Sequence, residues 1–284
     1  GMDVAGLVPA DRNVEGVVEM MLDATQNYTK KLTKERLCGW HAALFPSGRS
    51  GMHKITVGKW RKNDKGPMQV VSGAMGKEKV HFEAPLSKRL EKEMKVFLKW
   101  FNTPDETDAV LRSGLAHLWF ITIHPFDDGN GRMARALADM QLARADEDPQ
   151  RFYSMSAQIR VERKGYYEIL EKTQKGNLDV TAWLSWYLHC LDAALDATDA
   201  RLQSVLKKTR FWDSHMQTVI SERQRRMINK LFDGFDGKLT SSKWAKITKC
   251  SPDTALRDIQ DLVQKSILKK EEAGGRSTHY VLTF

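Results

Sequence analysis

The sequence predicts a mainly α-helical protein: a large helical core with a small β-hairpin, followed by a smaller C-terminal domain. Three observations predict this class. Apolar residues recur at helical spacing along most of the 284 residues. Short β-prone pieces punctuated by glycines are concentrated between residues 48 and 85. The composition changes near His215, where a second set of helix patterns begins.

The helices of the core follow from the apolar spacing and from the residues that end each run. Residues 14–43 predict two helices, and helices resume at Leu86 after the glycine-rich segment. A more apolar helix is predicted over 105–123, which places it at the centre of the core. It ends at His124, because Pro125 disfavours helical geometry in the residue before it. Further helices are predicted from Gly131 to Ala145, through YYEILEKT, and from Asp179 into the 200s.

The C-terminal part is predicted to be a winged helix-turn-helix domain over 215–284, joined by a linker at 206–214 to a core over 1–205. Three helix patterns follow one another, and Ser251 before a proline is a favourable start for the third. The last residues predict two strands around a glycine pair at 274–275. Three helices and a terminal hairpin are the elements of a winged helix-turn-helix.

Charge and cysteine content limit the classes of partner. The formal net charge of +9 favours anionic partners, whether nucleotide, nucleic acid or acidic protein. The three cysteines form no C-x-x-C pair, which argues against a disulfide framework or a zinc cluster. No apolar stretch approaches the roughly 20 residues of a membrane span, and the first residues lack the order of a signal peptide. We therefore expect a cytoplasmic protein with no membrane partner.

The stretch HPFDDGNGRMAR, which begins at His124, concentrates chemically active side chains between two predicted helices. A helix N-terminus that follows glycines offers unpaired backbone N–H groups to an anion. Arg132 and Arg135 are three residues apart, so both guanidinium groups can reach one polyphosphate. Asp127 or Asp128 can carry a magnesium ion, and the histidine can take a proton from an attacking hydroxyl. The stretch therefore predicts transfer of a phosphate-linked group.

This stretch resembles the signature of the Fic family, H-x-F-x-[DE]-G-N-G-R-x-x-R, at every specified position. Fic proteins mostly transfer AMP from ATP, with Mg²⁺, to a hydroxyl of a target protein. The resemblance implies that His124 is the general base for a Ser, Thr or Tyr hydroxyl, that Asp128 holds the magnesium, and that Phe126 is a buried anchor. It implies that the phosphates are bound by Gly129, Asn130, Gly131, Arg132 and Arg135.

The likeness extends loosely from about residue 14 to about residue 191. The stretch VVSGAMGKEKVHFEAP resembles the family's flap hairpin, here at about 68–85, which holds a target segment as an added strand. The target-docking residues of this flap would be Val70, Val71, Ser72 and Gly73. The stretch KGYYEILE resembles the helix that lines the nucleotide base, which implies adenine contacts from Tyr166 and Tyr167.

Many Fic proteins also carry an inhibitory [ST]-x-x-x-E-[GN] motif whose glutamate engages the second arginine of the signature. The nearest match here is DRNVEG, in which Asp11 replaces Ser or Thr. The match also lies only a few residues from the first residue of the sequence. We therefore expect that Glu15 is not an inhibitory residue and that Arg135 is free of it.

Two alternatives to AMP transfer remain open. The same site can remove AMP or use another nucleotide-linked donor, because nothing in the motif fixes the base or the transferred group. Alternatively, the chain is a DNA-binding regulator whose Fic core senses nucleotide. The first alternative is separated by trials with different donors, and the second by DNA binding that survives loss of His124.

The expected partner of the winged helix domain is DNA or a protein, including a second copy of the chain. The candidate recognition helix is DTALRDIQDLVQK. Its groove and wing contacts would come from Thr254, Arg257, Arg276 and His279. Three acidic residues of the same helix would repel DNA phosphates if they faced the backbone: Asp253, Asp258 and Asp261. They slightly favour a protein-interaction or dimerisation module, or a mixed role.

Overall fold

The structure, a computed structural model, describes residues 12–62, 66–73, 77, 79–271 and 278–283. The chain divides into two compact units at the boundary between Asp196 and Ala197. The mainly helical class predicted from the sequence is confirmed, because the described residues form eleven helices and three small antiparallel sheets. None of the described helices combines the length and the apolar character needed to cross a membrane.

The first unit contains most of the helices and the two N-terminal hairpins. Its helices are α1 (Arg12–Gln26), α2 (Lys34–Leu44), α3 (Ser87–Asn102), α4 (Ala109–Ile123), α5 (Asn130–Asp146), α6 (Met155–Val161) and α7 (Arg163–Gln174). Its strands are β1 (Arg49–Ser50), β2 (His53–Lys54), β3 (Gln69–Ser72) and β4 (Lys79–Glu83). Strand β1 pairs with β2 and β3 pairs with β4, both antiparallel.

Helix α8 (Thr181–Ser214) begins in the first unit and ends in the second. It contains the whole stretch at 206–214 that the sequence suggested as a linker. The physical reason is that residues 197–214 hold no glycine or proline that would end a helix. The unit boundary also falls before residue 205, the predicted end of the core.

Helix α4 is the centre of the first unit, as its apolar composition predicts. It packs against α3 and α5. It begins at Ala109 rather than at 105, because the carboxylate of Asp108 accepts hydrogen bonds from the backbone N–H groups of Val110 and Leu111, at 2.9 and 3.0 Å. The largest side chains buried around it are Phe97, Phe101, Phe120, Phe126, Trp183 and Tyr187.

This core contains a fully buried histidine, His117. Its Nε2 atom lies 2.9 Å from the hydroxyl of Tyr166. Burial, together with the nearby cation of Arg135, lowers the pKa of His117 to about 3. His117 is therefore neutral in the folded protein throughout the physiological pH range.

Acid should destabilise the first unit through this histidine. The unfolded chain takes up a proton at His117 near pH 6.5, whereas the folded chain does so only near pH 3, so stability is lost as the pH falls below 6.5. His124, with a pKa of about 4, acts in the same direction. Asp139, whose pKa burial raises to about 7, acts in the opposite direction.

We expect His117→Gln to remove about 2–3 kcal/mol of the difference in unfolding free energy between pH 7 and pH 4.5. Urea unfolding of both proteins at the two pH values measures this difference. An equal pH dependence of the parent and the variant would contradict the prediction, whatever the absolute stability of the variant.

The described residues of the second unit form the end of α8, three further helices and one two-stranded sheet. The elements are α9 (Glu222–Phe232), α10 (Ser241–Thr248), α11 (Pro252–Gln264), β5 (Leu268–Lys270) and β6 (Tyr280–Leu282). Side chains from all three helices form its core, with Met227, Ile228, Trp244, Ile259 and Leu262 fully buried. Ser251 accepts a hydrogen bond from the N–H of Thr254, which confirms the predicted start of α11. The suggested turn at 274–275 lies outside the described residues.

Candidate functional site

The functional site is built around His124, which ends helix α4 as predicted. Its backbone is left-handed, with φ 52° and ψ 59°, and its N–H donates to the carbonyl of Phe120 at 3.0 Å. Its Nδ1 atom lies 3.2 Å from the carbonyl oxygen of Ile121. Because a carbonyl only accepts, Nδ1 carries the proton and Nε2 keeps a free lone pair.

The electrostatic surroundings keep this imidazole neutral. Burial lowers the pKa of His124 to about 4, and the nearby cation of Arg61 contributes to the same shift. The hydrogen bond to Ile121 and the charge of Asp128 oppose the shift without reversing it. His124 is therefore a proton acceptor at neutral pH.

Arg61 holds the backbone around His124, and nothing in the sequence pointed to it. Its Nε donates to the carbonyl of His124 at 2.7 Å, and its Nη2 donates to the carbonyl of Pro85 at 2.5 Å. Its backbone N–H donates to the carbonyl of Pro125 at 2.9 Å. The side chain is buried. Arg61 therefore ties the end of α4 to the segment between β4 and α3.

Replacing Arg61 by methionine should lower the free energy of unfolding by about 2–4 kcal/mol, because two buried carbonyls lose their donors. The control is Arg89→Met, which removes an exposed ion pair with Glu93 one helical turn away. That change should stay within about 0.5 kcal/mol. Denaturant unfolding measures both variants, and equal effects would refute the structural role of Arg61.

Asn130 closes the loop between α4 and α5. Its Oδ1 accepts from the N–H of Phe126 at 3.0 Å, and its Nδ2 donates to the carbonyl of the same residue at 2.8 Å. The ring of Phe126 is fully buried and stacks on His41, with the ring centroids 4.2 Å apart. In this structure, both polar atoms of the Asn130 amide are engaged within the loop rather than directed at a ligand.

The N-terminus of helix α5 is open. Gly129 precedes it with φ 81°, and no side chain caps the helix. A Cβ atom at Gly129 would lie 2.9 Å from a ring carbon of Phe45, so both the backbone conformation and the available space require glycine here. Uncapped N–H groups and the helix dipole make this end suited to an anion, as the sequence predicts.

Asp128 is fixed beside this N-terminus. One carboxylate oxygen accepts from the N–H of Gly129 at 2.5 Å, and the other accepts from the hydroxyl of Ser50 in strand β1. His41 donates from Nε2 to the carbonyl of Asp128 at 3.2 Å, while its Nδ1 accepts from the N–H of Gly58. A carboxylate with a neighbouring hydroxyl provides the hard oxygen donors that Mg²⁺ prefers. These residues therefore carry the type of oxygen donor that a magnesium ion would need.

The adjacent carboxylate, Asp127, has a different role. Its Oδ2 accepts from the backbone N–H of Thr56 at 2.8 Å. This bond attaches the loop to the segment that follows β2. Of the two aspartates that the sequence offered for magnesium, Asp127 is bonded to the segment after β2, whereas Asp128 lies directly beside the start of α5.

The two arginines of the motif lie on the first turns of α5. The guanidinium of Arg132 lies over the ring of Phe45, 4.7 Å from its centroid. A Cβ at Gly131 would lie 3.6 Å from Nη1 of Arg135, which places this guanidinium beside the helix start. Within the described ranges, neither arginine forms a hydrogen bond or an ion pair with a protein group. Both are thus available to an anion.

Helix α1 reaches the same end of the first unit. Gly16 packs so closely on α2 that a Cβ would lie 1.9 Å from the carbonyl oxygen of Ala43, and Leu44 in turn contacts Gly129. Glu15 is exposed and forms no ion pair with Arg135 among the residues that the structure describes. Arg135 is therefore free of Glu15, as expected, although Asp11 lies outside the described residues.

The predicted flap is present as the hairpin of β3 and β4, with an irregularity between Val70 and Val71. Ser72 and Gly73, at its end, are exposed, while residues 74–76 and 78 lie outside the described residues. In β4, His81 Nδ1 lies 2.5 Å from a carboxylate oxygen of Glu171, and its Nε2 lies 2.5 Å from the hydroxyl of Ser72. The hairpin is thus attached to helix α7.

The two tyrosines suggested for adenine occupy different environments on α7. Tyr166 is only 4% exposed, and its hydroxyl is bonded to His117 in the core. Tyr167 is 51% exposed, and the guanidinium of Arg163 lies 5.8 Å from its ring centroid. Adenine contact by either ring stays a prediction, and Tyr167 is the one with a large exposed surface.

Comparison with known proteins agrees with this geometry. Residues 31–142 match the family model described as "Fic/DOC family". A protein adenylyltransferase Fic of Nematostella vectensis is 33% identical over 116 residues, which are 40% of this chain and 25% of that protein. A protein adenylyltransferase Fic of Drosophila ananassae is 30% identical to this chain over 105 residues, which are 36% of this chain and 20% of that protein. The matched part thus spans a quarter or less of these relatives.

The fold is similar to solved structures as well. A Fic family protein of Desulfovibrio desulfuricans G20 superposes with a TM-score of 0.51 at 19% identity, covering 98% of this chain and 77% of that one. A Fic domain containing signaling protein of Bacteroides thetaiotaomicron gives the same TM-score and identity over 69% of this chain and 77% of its own. The family match, the signature and the fold agree that this chain contains a Fic/DOC family domain.

Proposed function

We propose that this chain is a protein adenylyltransferase that transfers AMP from ATP to a hydroxyl side chain of a target protein. The observation that carries the proposal is a neutral His124 with a free Nε2 lone pair, close in the chain to the uncapped N-terminus of α5. A base and an anion site in one loop suit attack of a hydroxyl on a phosphate. The relatives named protein adenylyltransferase Fic support the same reaction.

In this proposal the triphosphate lies at the start of α5. The backbone of Gly129 and Gly131 approaches the phosphates, and Arg132 and Arg135 neutralise their charge. Asp128, with the hydroxyl of Ser50 beside it, holds a magnesium ion, which when bound supplies further charge neutralisation at the phosphates. Asn130 acts by fixing the loop through both of its bonds to Phe126.

His124 then accepts the proton of the target hydroxyl on Nε2. The hydroxyl oxygen forms a bond to the α-phosphorus, the bond between that phosphorus and the bridging oxygen breaks, and pyrophosphate leaves. The hydrogen bond from Nδ1 to Ile121 keeps the imidazole in the accepting tautomer. In this scheme, Arg61 positions the base through its backbone and does not touch the substrate.

The flap holds the target. A target segment adds as a strand to the hairpin at Val70, Val71, Ser72 and Gly73, of which the last three are exposed, so that backbone pairing sets the position of the hydroxyl. The attachment of β4 to Glu171 on α7 fixes this hairpin relative to the helix that carries Tyr166 and Tyr167, the candidate adenine contacts. The partner is therefore a protein with an accessible Ser, Thr or Tyr in an extended segment.

The test compares the fate of two labels. The chain is incubated with magnesium and a cell lysate, using ATP labelled at the α-phosphate in one series and at the γ-phosphate in the other. Lysate without the chain is the background, because kinases of the lysate transfer the γ-phosphate on their own. AMP transfer predicts that adding the chain increases protein labelling from the α-label alone. An increase from the γ-label on addition of the chain would mean phosphoryl transfer, and an increase only from another nucleotide-linked donor would replace ATP as the substrate. Either outcome would overturn the proposal.

A further inference from the structure

Two of the three acidic residues of helix α11 are paired with groups of the same unit, and one of them is buried. Asp258 is only 8% exposed and receives two hydrogen bonds from Arg223, at 2.5 and 2.8 Å, and one from the indole of Trp244 at 3.2 Å. Asp261 accepts from Gln224 at 2.7 Å and from Lys265 at 2.6 Å. Two of the three acidic residues that argued against DNA are therefore neutralised within the unit.

The outward face of α11 carries a different set of side chains. Ala255, Ile259 and Leu262 point into the core. The residues exposed on the opposite side, at helical spacing, are Asp253, Leu256, Arg257, Gln260, Val263 and Gln264. Among the described residues, Arg257 has neither an ion pair nor a hydrogen bond. Its guanidinium is thus available to an external partner.

These side chains suit the edges of base pairs. Arginine donates two hydrogen bonds to guanine and glutamine bonds adenine in the major groove, while an apolar group contacts the thymine methyl. Arg257 and Gln260 are one turn apart, so they face the same side of the helix. Leu256 and Val263 are 39% and 36% exposed, and they are separated by Gln260. The face is therefore mainly polar rather than a continuous apolar patch.

The elements around α11 have the layout of a helix-turn-helix. Helix α10 ends at Thr248, and only Lys249, Cys250 and Ser251 separate it from α11. Lys249 takes the left-handed conformation, with φ 54°, that ends α10. In such motifs the second helix enters the major groove, and its first turns contact the bases. Among the exposed lysines that precede or follow α11 are Lys246, Lys249, Lys269 and Lys270.

The charge of the chain is concentrated in this unit. Residues 197–284 hold 17 Lys and Arg against 10 Asp and Glu, which is +7 of the formal net charge of +9. Lysines and arginines that neutralise phosphates supply most of the affinity of a protein for duplex DNA. The excess positive charge therefore lies in the same unit as the exposed face of α11.

We propose that the second unit binds double-stranded DNA, with the exposed face of α11 in the major groove and the flanking lysines on the phosphates. This activity goes beyond nucleotidyl transfer and does not depend on it. His279 takes no part, because it is buried and its Nε2 lies 2.5 Å from a carboxylate oxygen of Glu271. Arg276 lies outside the described residues. Of the predicted base contacts, Arg257 is the one on which the proposal rests.

The test uses the full chain and fluorescein-labelled duplexes of about 30 base pairs, first selected from a random pool by binding. Anisotropy should show that log K falls linearly with log salt concentration, with a slope of about −0.9 for each phosphate contact. Arg257→Ala should weaken binding to the selected site by about 10-fold or more and relax the preference at one base pair. Arg257→Lys should keep the salt slope and lose the preference, and Asp253→Asn should tighten binding.

Two controls localise the effect. Arg160→Ala removes an exposed arginine from α6 in the first unit and should change the affinity less than about twofold. His124→Ala should leave DNA binding intact, so failure of AMP transfer and failure of this proposal are distinguishable. The proposal is overturned by no duplex binding at low salt, by equal losses in Arg257→Ala and Arg160→Ala, or by equal affinity for single strands. If the chain self-associates but binds no duplex, and Leu256→Asp abolishes the self-association, the exposed face of α11 binds a protein partner instead of DNA.

Discussion

Replacing His124 by alanine should lower the rate of nucleotidyl transfer by about 10²- to 10⁴-fold, the range expected for loss of a general base. The affinity for magnesium-ATP should change little, because the proposed phosphate contacts come from the start of α5 rather than from the imidazole. Label transfer from α-labelled ATP measures the rate, and equilibrium binding of ATP measures the affinity. The matched control is His189→Ala, an exposed histidine on α8, which should keep full activity.

The pH dependence of this rate follows from the environment of His124. Because burial lowers its pKa to about 4, the accepting form persists at all pH values above about 5. The rate in the folded protein should therefore not fall as the pH is lowered from 8 to 5.5, and it should fall as the pH approaches 4. A loss of rate centred near pH 6.5 would show an imidazole in contact with water and would contradict the buried geometry.

Gly129→Ala should have the second largest effect, on both folding and nucleotide binding. An alanine at φ 81° costs about 1–2 kcal/mol, and its Cβ would lie 2.9 Å from the ring of Phe45. Relief of that contact moves either Phe45 or the start of α5, at a further cost of about 1–3 kcal/mol. We expect the free energy of unfolding to fall by about 2–5 kcal/mol. Affinity for ATP should fall as well.

The control for this substitution has the opposite expected sign. Gly39 lies within α2 and is exposed, and a Cβ added there would meet no neighbouring group within 4 Å. Gly39→Ala should therefore raise the free energy of unfolding by about 0.5–1 kcal/mol. Chemical unfolding of the two variants, with ATP binding measured in parallel, checks both signs. A stabilised Gly129→Ala protein would show that the loop does not need the left-handed conformation.

Local signals in the sequence predicted the parts of the fold that depend on neighbouring residues. The end of α4 at His124 follows from Pro125, and the start of α11 follows from Ser251. The uncapped start of α5 follows from Gly129, which precedes the helix. Each of these features is decided within about four residues, which is the distance over which capping and backbone preferences act.

Contacts between distant segments could not be predicted in this way. Arg61 meets the carbonyl of His124 across 63 positions, and Ser50 meets Asp128 across 78. No spacing rule relates such residues, because the fold alone brings them together. The same limit applies to Asn130, whose residue type suggests a ligand contact but whose amide binds the backbone of Phe126. It also applies to Asp258, whose inward direction depends on Arg223 in another helix.

The left-handed backbone of His124 lowers the stability of the fold at the residue that the proposed reaction requires. A residue with a Cβ is strained in that conformation, whereas glycine adopts it freely. A chain optimised for stability alone would have glycine at position 124, and so would lose the proposed base. The hydrogen bond from Arg61 to the carbonyl of His124 offsets part of this cost. A screen for higher thermal stability would therefore select substitutions in this loop that also inactivate the protein.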